Sequence, residues 1–545
     1  MKRKPDSKKI LCLAACLTAV ICVQGCMIGP DYERPDGPMP DQWDASLSGG
    51  LSAEAPGHEA WWASFGDATL TSLIERAAAD NFDLQIMEAR LKEVRAYEDV
   101  AEAALWPQVN SEAAYQRSQT REVAASTSPT GAASLTVSGN GLGVSVTGNP
   151  AGAYGPSITV TPDLTGNGNT SVSVRSGTSV SAPDRHTSLY RAGFDATWEL
   201  DVFGGTRREM EAARADTEGV EDARRNVFIS VAGEVARNYF MLRSAQRRLE
   251  TANANIAVQQ QGLDLARSRF DAGLTNELDV KIAEAQLASS KSVVPALETL
   301  VEMAMHRLAV LSGKEPGALQ EELAPVAPLP QKPPDVPVGL PVDILRRRPD
   351  VRQAERAVAS ATARIGVAEA DLYPRFVLLG SLTGSSADFE GITRGANRLW
   401  SFGPGIRWPV FDGGRIRANI RVQNARQEET LVSYEKTVTT ALEEVENALV
   451  AYAKEQNRLI ALTEAVEANR RAVEIAKSLY ANGLVSFLNV LDSERSLFAG
   501  EDQQIQSEAL VLTNLVALYK ALGGGWQQAY PEGQEMSEIV TVPAE

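Results

Sequence analysis

The chain has 545 residues, 53 basic and 70 acidic side chains, a formal charge of −17, and only 4 cysteines and 3 histidines. Because the cysteines are Cys12, Cys16, Cys22 and Cys26, no thiol beyond residue 26 can pair, hold zinc or attack a substrate. His58, His186 and His306 are scattered, no HExxH, Walker, GxSxG or EF-hand pattern occurs, and no basic stripe offsets the negative charge; the composition thus points to no enzyme, no resident metal or soluble cofactor, and no nucleic-acid partner.

The N-terminus reads as an export signal. Lys2, Arg3, Lys4, Lys8 and Lys9 precede a mostly apolar run of 14 residues, 10–23, too short to span a bilayer as a helix. Removing residues 1–25 takes away five basic and one acidic side chain and leaves the mature chain near −21. Val23, Gln24, Gly25 and Cys26 resemble a bacterial lipobox, with Gln24 unusual for it. That makes Cys26 the first mature residue and the carrier of covalent lipid, S-diacylglycerol and N-palmitoyl, at the head of a lipid-anchored segment, 26–66. Met27 in place of Asp favours the outer membrane over the inner one. No later run reaches the ~18 apolar residues of a spanning helix, so a membrane crossing requires a closed β-barrel.

A first structural repeat is predicted over 67–312. Leu70, Leu73, Ile74 and Ala77 give an apolar face to a helix over 67–105. Residues 107–117 alternate, with Val109, Ala113 and Tyr115 against Gln108, Asn110, Glu112 and Gln116. An inserted loop, 118–187, interrupts the pattern. Between 123 and 183 only Asp163 and Arg175 are charged, and the stretch is either disordered or folded into short hairpins at fragments such as 143–147 and 157–161. The clearest strand runs over 190–202, where Tyr190, Ala192, Phe194, Ala196, Trp198, Leu200 and Val202 alternate with Arg191, Gly193, Asp195, Thr197, Glu199 and Asp201. This is the apolar-out, polar-in pattern of a transmembrane barrel strand. A proline-free stretch, 206–270, predicts a helix ~100 Å long, which survives only when packed along its length. Gly273 then turns the chain into a return helix over 276–312.

Eight prolines between Pro316 and Pro341 mark a linker, 313–341. A second repeat, 342–526, follows the same order: helix 343–372, strands 375–384 and 401–411, long helix 415–480, turn at Gly483, return helix 487–522, and a tail over 527–545. The two strands are less strict, with Phe376, Leu378 and Leu382 on one face of the first and Phe402, Ile406, Trp408 and Val410 on one face of the second. Residues 270–280 align with 480–490 at an offset of 210, and Leu105, Trp106 and Pro107 align with Leu372, Tyr373 and Pro374 at 267. The difference of 57 between the offsets is the size of the insertion.

Four strands cannot close a membrane barrel, whose smallest members have about eight, so several copies must share one. Three copies give twelve strands and a diameter on the order of 24 Å, although the arithmetic admits other multiples of four.

Residues 339–350, with Arg346, Arg347, Arg348, Pro349 and Asp350, together with Trp61, Trp62, Phe65 and Gly66 and with residues 519–526, resemble the outer membrane factors of tripartite efflux pumps. The resemblance is to the lipoprotein, NodT-type branch of the TolC-like family. It implies an α+β channel-tunnel: a homotrimer with a twelve-stranded barrel in the outer membrane of a Gram-negative bacterium and coiled-coil helices crossing the periplasm. The implied partners are a periplasmic adaptor protein, an inner-membrane RND-type transporter and outer membrane lipid. Matched to the family's pattern, Leu488, Asn489 and Asp492 fall on the periplasmic constriction, Tyr480 on a position that ties helices together, and Asp279 on the internal counterpart of Asn489. Gly273 and Gly483 are the turn glycines of the adaptor-facing tip. Arg346 to Asp350 read as structural, with Pro349 and Asp350 suited to a helix start. An outlet for protein secretion or metal export, and a lipid-anchored periplasmic scaffold without a pore, are the alternative readings.

Overall fold

The computed structural model describes residues 27–35, 40–45, 47, 50–52, 60–118, 156–161, 171–176, 187–329 and 336–530. Cys26, the signal segment and most of the insertion lie outside these described residues. The chain divides into a helical unit and a strand unit, the latter formed by Pro107–Leu200 and Phe376–Ile406.

The main helices of the helical unit are α1 (Ala68–Asp80), α2 (Phe82–Ala103), α3 (Gly205–Asp271), α4 (Glu277–Leu311), α5 (Pro349–Ala370), α6 (Arg415–Ala481) and α7 (Phe487–Ala521). The repeat is exact in length: α3 and α6 have 67 residues each, α4 and α7 have 35, and α2 and α5 have 22. At 1.5 Å per residue the two long helices each run ~100 Å. Neither has a sustained apolar stripe of its own, so their order comes from packing.

Most of that packing lies in one cluster. Trp61, Trp62 and Phe65, on the helical turn Trp61–Phe65, pack with Phe228, Phe240 and Tyr519, and Trp61 stacks on Tyr519 at 5.3 Å between centroids. Asp67 caps α1 by accepting from the backbone N–H of Thr69 and Leu70, and also accepts from the Tyr239 hydroxyl at 2.6 Å. A second, smaller cluster holds the far ends of the hairpins together: Leu263, Ala266, Val280, Ala283 and Leu287 meet Ala476, Tyr480, Phe487, Val490 and Leu491.

Two helices expected as continuous are broken. The stretch 67–105 is split at Asn81, whose extended backbone ends α1 and whose side-chain oxygen accepts from the N–H groups of Asp83 and Leu84 to start α2. Its amide donates to the Leu311 carbonyl at 2.9 Å, so the break is pinned to the end of α4. The stretch 343–372 is split into a turn, Ile344–Arg347, and α5, with Pro349 at the first helical position, where its missing N–H costs nothing.

The strand unit contains β1 (Gln108–Ser118), β2 (Thr187–Leu200), β3 (Arg375–Ser386) and β4 (Arg398–Arg407), hydrogen-bonded in chain order. β1 pairs antiparallel with β2 from Gln108↔Thr197 to Ser118↔Thr187, and β2 with β3 from Leu200↔Phe376 to Tyr190↔Ser386. The last strand ends earlier than the alternation suggested. Pro409 cannot donate to a ladder, and Trp408 instead donates its indole N–H to the Leu372 carbonyl at 3.0 Å. Val202 likewise lies beyond β2. Within the insertion, Pro156–Thr161 and Ser171–Ser176 form an antiparallel hairpin, which includes the fragment 157–161; the fragment 143–147 lies outside the described residues.

Candidate functional site: an amphipathic sheet and a paired helical tip

Side chains at directly opposed positions share a face of the sheet, so register decides what each face presents. One face collects Val109 and Tyr115 from β1, Tyr190, Phe194 and Trp198 from β2, and Phe376, Leu378 and Leu382 from β3. Phe402 of β4 joins them, since a Cβ on Gly380 would lie 3.8 Å from its ring. The other face carries Asn110, Glu112, Arg191, Asp195, Thr197, Ser381 and Thr383, and the Ser381 and Ser401 hydroxyls bond at 2.8 Å. The apolar face is not a core. Val109, Phe194, Leu382, Trp400, Phe402 and Ile406 are all half or more exposed, with Trp400 at 77%. Such a face, on a sheet whose β1 and β4 edges pair with no further strand among the described residues, suits a hydrocarbon environment and neighbouring strands. At the loop end Tyr115 and Tyr190 lie 4.7 Å apart, and Tyr190 meets Phe389 edge-on at 5.9 Å, an aromatic border of the kind found at membrane interfaces.

The hairpin tips are built alike. Gly273 (φ +69°) and Gly483 (φ +72°) take the left-handed conformation that ends a helix, while Leu274 N–H bonds the Arg269 carbonyl at 2.8 Å and Leu484 N–H the Leu479 carbonyl at 2.9 Å. This puts Leu274 and Leu484 on the outside, 68% and 70% exposed. Just beyond the second turn, α7 buries Phe487, Val490, Leu491 and Glu494, while Leu488, Asn489 and Asp492 share its exposed face. No ion-pair partner of Asp492 occurs among the described residues. Asp279, in the first tip, is half-buried and accepts a hydrogen bond from the Thr275 hydroxyl of its own turn. It is a local turn group more than an open one.

Tyr480 is buried and bridges the two hairpins of one chain. Its ring lies 5.3 Å from that of Phe487 and under the Arg269 guanidinium at 4.7 Å, and Arg269 donates to its carbonyl at 3.3 Å. Burial pushes the Tyr480 hydroxyl pKa up, against the lowering effect of the nearby Arg269 charge. The sequence reading missed Arg269. Its position in the last turn of α3, facing a residue 211 positions away, leaves no local signal.

Two buried arginines tie segments together; Arg348 belongs to the Arg346–Asp350 segment read as structural from the sequence, whereas Arg208 was not foreseen. Arg348 bonds Asp350 at 2.6 and 3.0 Å, Glu444 at 2.7 Å and the Ala521 carbonyl at 2.9 Å, joining the start of α5 to α6 and the end of α7. Arg208 holds the N-terminal segment by the carbonyls of Ile28 and Gly29, at 3.1 and 3.2 Å, and by Asp31 at 2.7 Å. Ile28 N–H adds a bond to the Phe203 carbonyl at 3.2 Å. Met27 packs so closely on Gly204 (φ +81°) that a Cβ there would come within 2.9 Å of its Cα.

The family model described as outer membrane efflux protein matches residues 153–314 and 340–524. Nodulation protein T of Rhizobium leguminosarum bv. trifolii is 30% identical over 479 residues, 88% of this chain and 90% of its own length. The cation efflux system protein CusC of Escherichia coli O6:H1 is 29% identical over 518 residues, 95% and 98% of the two chains. Among solved structures, the outer-membrane channel OprN superposes with a TM-score of 0.75 at 34% identity, covering 92% of this chain and all of that one. The tandem helical repeat and the short antiparallel sheet are common to this chain and such channels, and the chain belongs to the outer membrane efflux protein family.

Proposed function

We propose that three copies of this chain form the outer membrane channel-tunnel of a tripartite efflux pump, a passive exit for small molecules handed on by an inner-membrane RND-type transporter through a periplasmic adaptor. The observation that carries the reading is the sheet: four strands, two edges left unpaired among the described residues and one exposed apolar face. Pairing β4 of one copy with β1 of the next satisfies both edges, and three copies reach twelve strands around a lumen on the order of 24 Å across. The polar face then lines the lumen and the apolar face meets lipid.

At the hairpin tips, the exposed face of α7 would bring Leu488, Asn489 and Asp492 from three copies toward a common axis. Three converging carboxylates favour cations in the mouth. Asp492→Ala is therefore expected to lower the cation preference of the pore, read as a smaller reversal potential in a salt gradient. An unchanged reversal potential would place Asp492 away from the conduction path. The outward-facing Leu274 and Leu484 of the glycine turns are the surfaces offered to the adaptor.

The chain is further proposed to be anchored by lipid on Cys26. Support comes from the lipobox-like residues 23–26 and from Met27, the residue after Cys26, which packs on Gly204 just before α3. Radiolabelled palmitate should be incorporated by the wild type and lost in Cys26→Ser. Equal labelling of the two refutes the anchor.

A further inference from the structure

Four helices of the tandem repeat form a row in which α2 packs on α3, α3 on α5 and α5 on α6. Passing from the first repeat to the second carries α2 to α5, an offset of 267, and α3 to α6, an offset of 210. The α2–α3 pairing thus has its image inside the chain, in α5–α6. The α3–α5 pairing has none, because its image needs α6 beside a further α2, and the α2 of the same chain already packs at the other end of the row.

The α3–α5 seam is close and antiparallel. A Cβ on Gly205 would lie 3.0 Å from that of Ala370, and one on Gly219 would lie 3.6 Å from that of Arg356. Ala212, Ala215, Gly219 and Asp222 of α3 are buried along it, as are Ser360, Ala363 and Gly366 of α5. On its flanks Arg364 donates to Asp216 at 2.5 Å and Arg356 to Glu218 at 3.1 Å. The repeat-related positions are the opposite in character: Val422, Ala425, Glu429 and Val432 of α6, and Glu93, Ala96 and Asp99 of α2, are all exposed. Several of the exposed side chains around them are large and apolar. Ile86 and Val432, which the two offsets set directly opposite each other, are 59% and 58% exposed, and Val100 and Val422 lie on the same two faces.

We propose that α6 of one copy packs on α2 of the next in the geometry of the α3–α5 seam, so that the chain's own repeat specifies the joint between copies. This rests on the channel reading for the presence of neighbouring copies. The joint brings two different surfaces together, head to tail, which is the kind of contact that builds rings. Across it Ala89 faces Glu429 and Ile86 faces Val432, burying apolar surface on both helices. Arg426 comes beside the ring of Tyr97, a cation–π contact at the place where the chain's own seam has the Arg364–Asp216 ion pair.

The chain has no cysteine beyond residue 26, so engineered pairs can report the joint. Ala89→Cys with Glu429→Cys is the image of Arg356 and Gly219, whose Cβ separation is within the range of a disulfide. Oxidised in outer membranes and run in denaturant without reductant, that chain should appear mostly as covalent multimers. Ala103→Cys with Arg415→Cys, the image of Ala370 and Gly205, should do the same at the other end of the joint. Each single-cysteine chain should stay monomeric, because a head-to-tail joint never brings a position against itself. Ala89→Cys with Asn424→Cys should also stay monomeric, since Asn424 projects from a different side of α6. No covalent multimer from either seam pair, or equal linking of the Asn424→Cys pair, overturns the proposal, and linking by single-cysteine chains would replace it with a two-fold contact. Conductance steps from the unsubstituted chain in any of those events leave the channel reading in place, whereas silence removes that reading as well.

Discussion

Phe194→Arg should prevent stable insertion of the sheet into the outer membrane, whereas Thr197→Arg, three residues along the same strand, should be tolerated. Phe194 lies midway along the 14 residues of β2, directly opposite Ser111 and Leu382 on the apolar face, and it is more than half exposed. An arginine at the middle of the lipid-facing surface of a barrel costs about 2–4 kcal/mol, and the proposed trimer would incur that cost three times. Thr197 is opposite Gln108 and Leu379 on the face that carries Asp195 and Ser381, where water would solvate the new charge. Membrane fractions extracted with urea separate the cases: Phe194→Arg should leave the inserted pool and Thr197→Arg should remain in it. The reverse order would mean that the faces are assigned the wrong way round.

Arg348→Ala should weaken the helical unit by about 3 kcal/mol, the low end for breaking a buried ion pair, because Glu444 is half exposed and regains water. The guanidinium is buried and its pKa is raised: desolvation opposes the charge, but the hydrogen bonds it donates to Asp350 and Glu444, with their negative charges, more than offset it. Without it the Ala521 carbonyl loses its donor, and Asp350 keeps a negative charge beside the start of α5 with no cation. Arg348→Lys should recover only part of the loss, since a single ammonium cannot reach three acceptors in the plane that a guanidinium spans. The midpoint of urea unfolding of the helical unit is the readout, with the order wild type, Lys, Ala. Equal midpoints for wild type and Ala would show that the node contributes nothing net.

Periodicity explains which parts of this architecture could be read from the sequence. The absence of proline and a composition rich in helix formers marked α3 and α6, and the offsets of 210 and 267 reappear in the structure at the helix boundaries themselves, from 205 to 415 and from 82 to 349. The alternation over 190–202 predicted the face of β2 because a strand's sides are fixed by parity alone. Leu488, Asn489 and Asp492 share a helix face by the same kind of rule, since residues three and four apart are neighbours. Contacts between distant segments left no such trace. Arg208 reaches back 177–180 residues to the N-terminal segment and Arg348 reaches forward 173 to Ala521. Nothing in the residues flanking Arg208 distinguishes it from a solvated arginine, and the segment around Arg348 reads as structural without revealing its partners Glu444 and Ala521. Asn81 lay in between: an Asn followed by an acidic residue two positions later is a helix-start signal, but it was embedded in an apolar pattern that continued through it.

The central claim, that the chain forms a pore, is tested most directly by single-channel recording of the correctly assembled full-length protein in planar bilayers. Discrete conductance steps are expected, if not from the wild type then from Asp492→Ala, in which the charged mouth has been neutralised. Silence from both proteins, with assembly verified, would contradict the channel and leave a lipid-anchored scaffold as the better description.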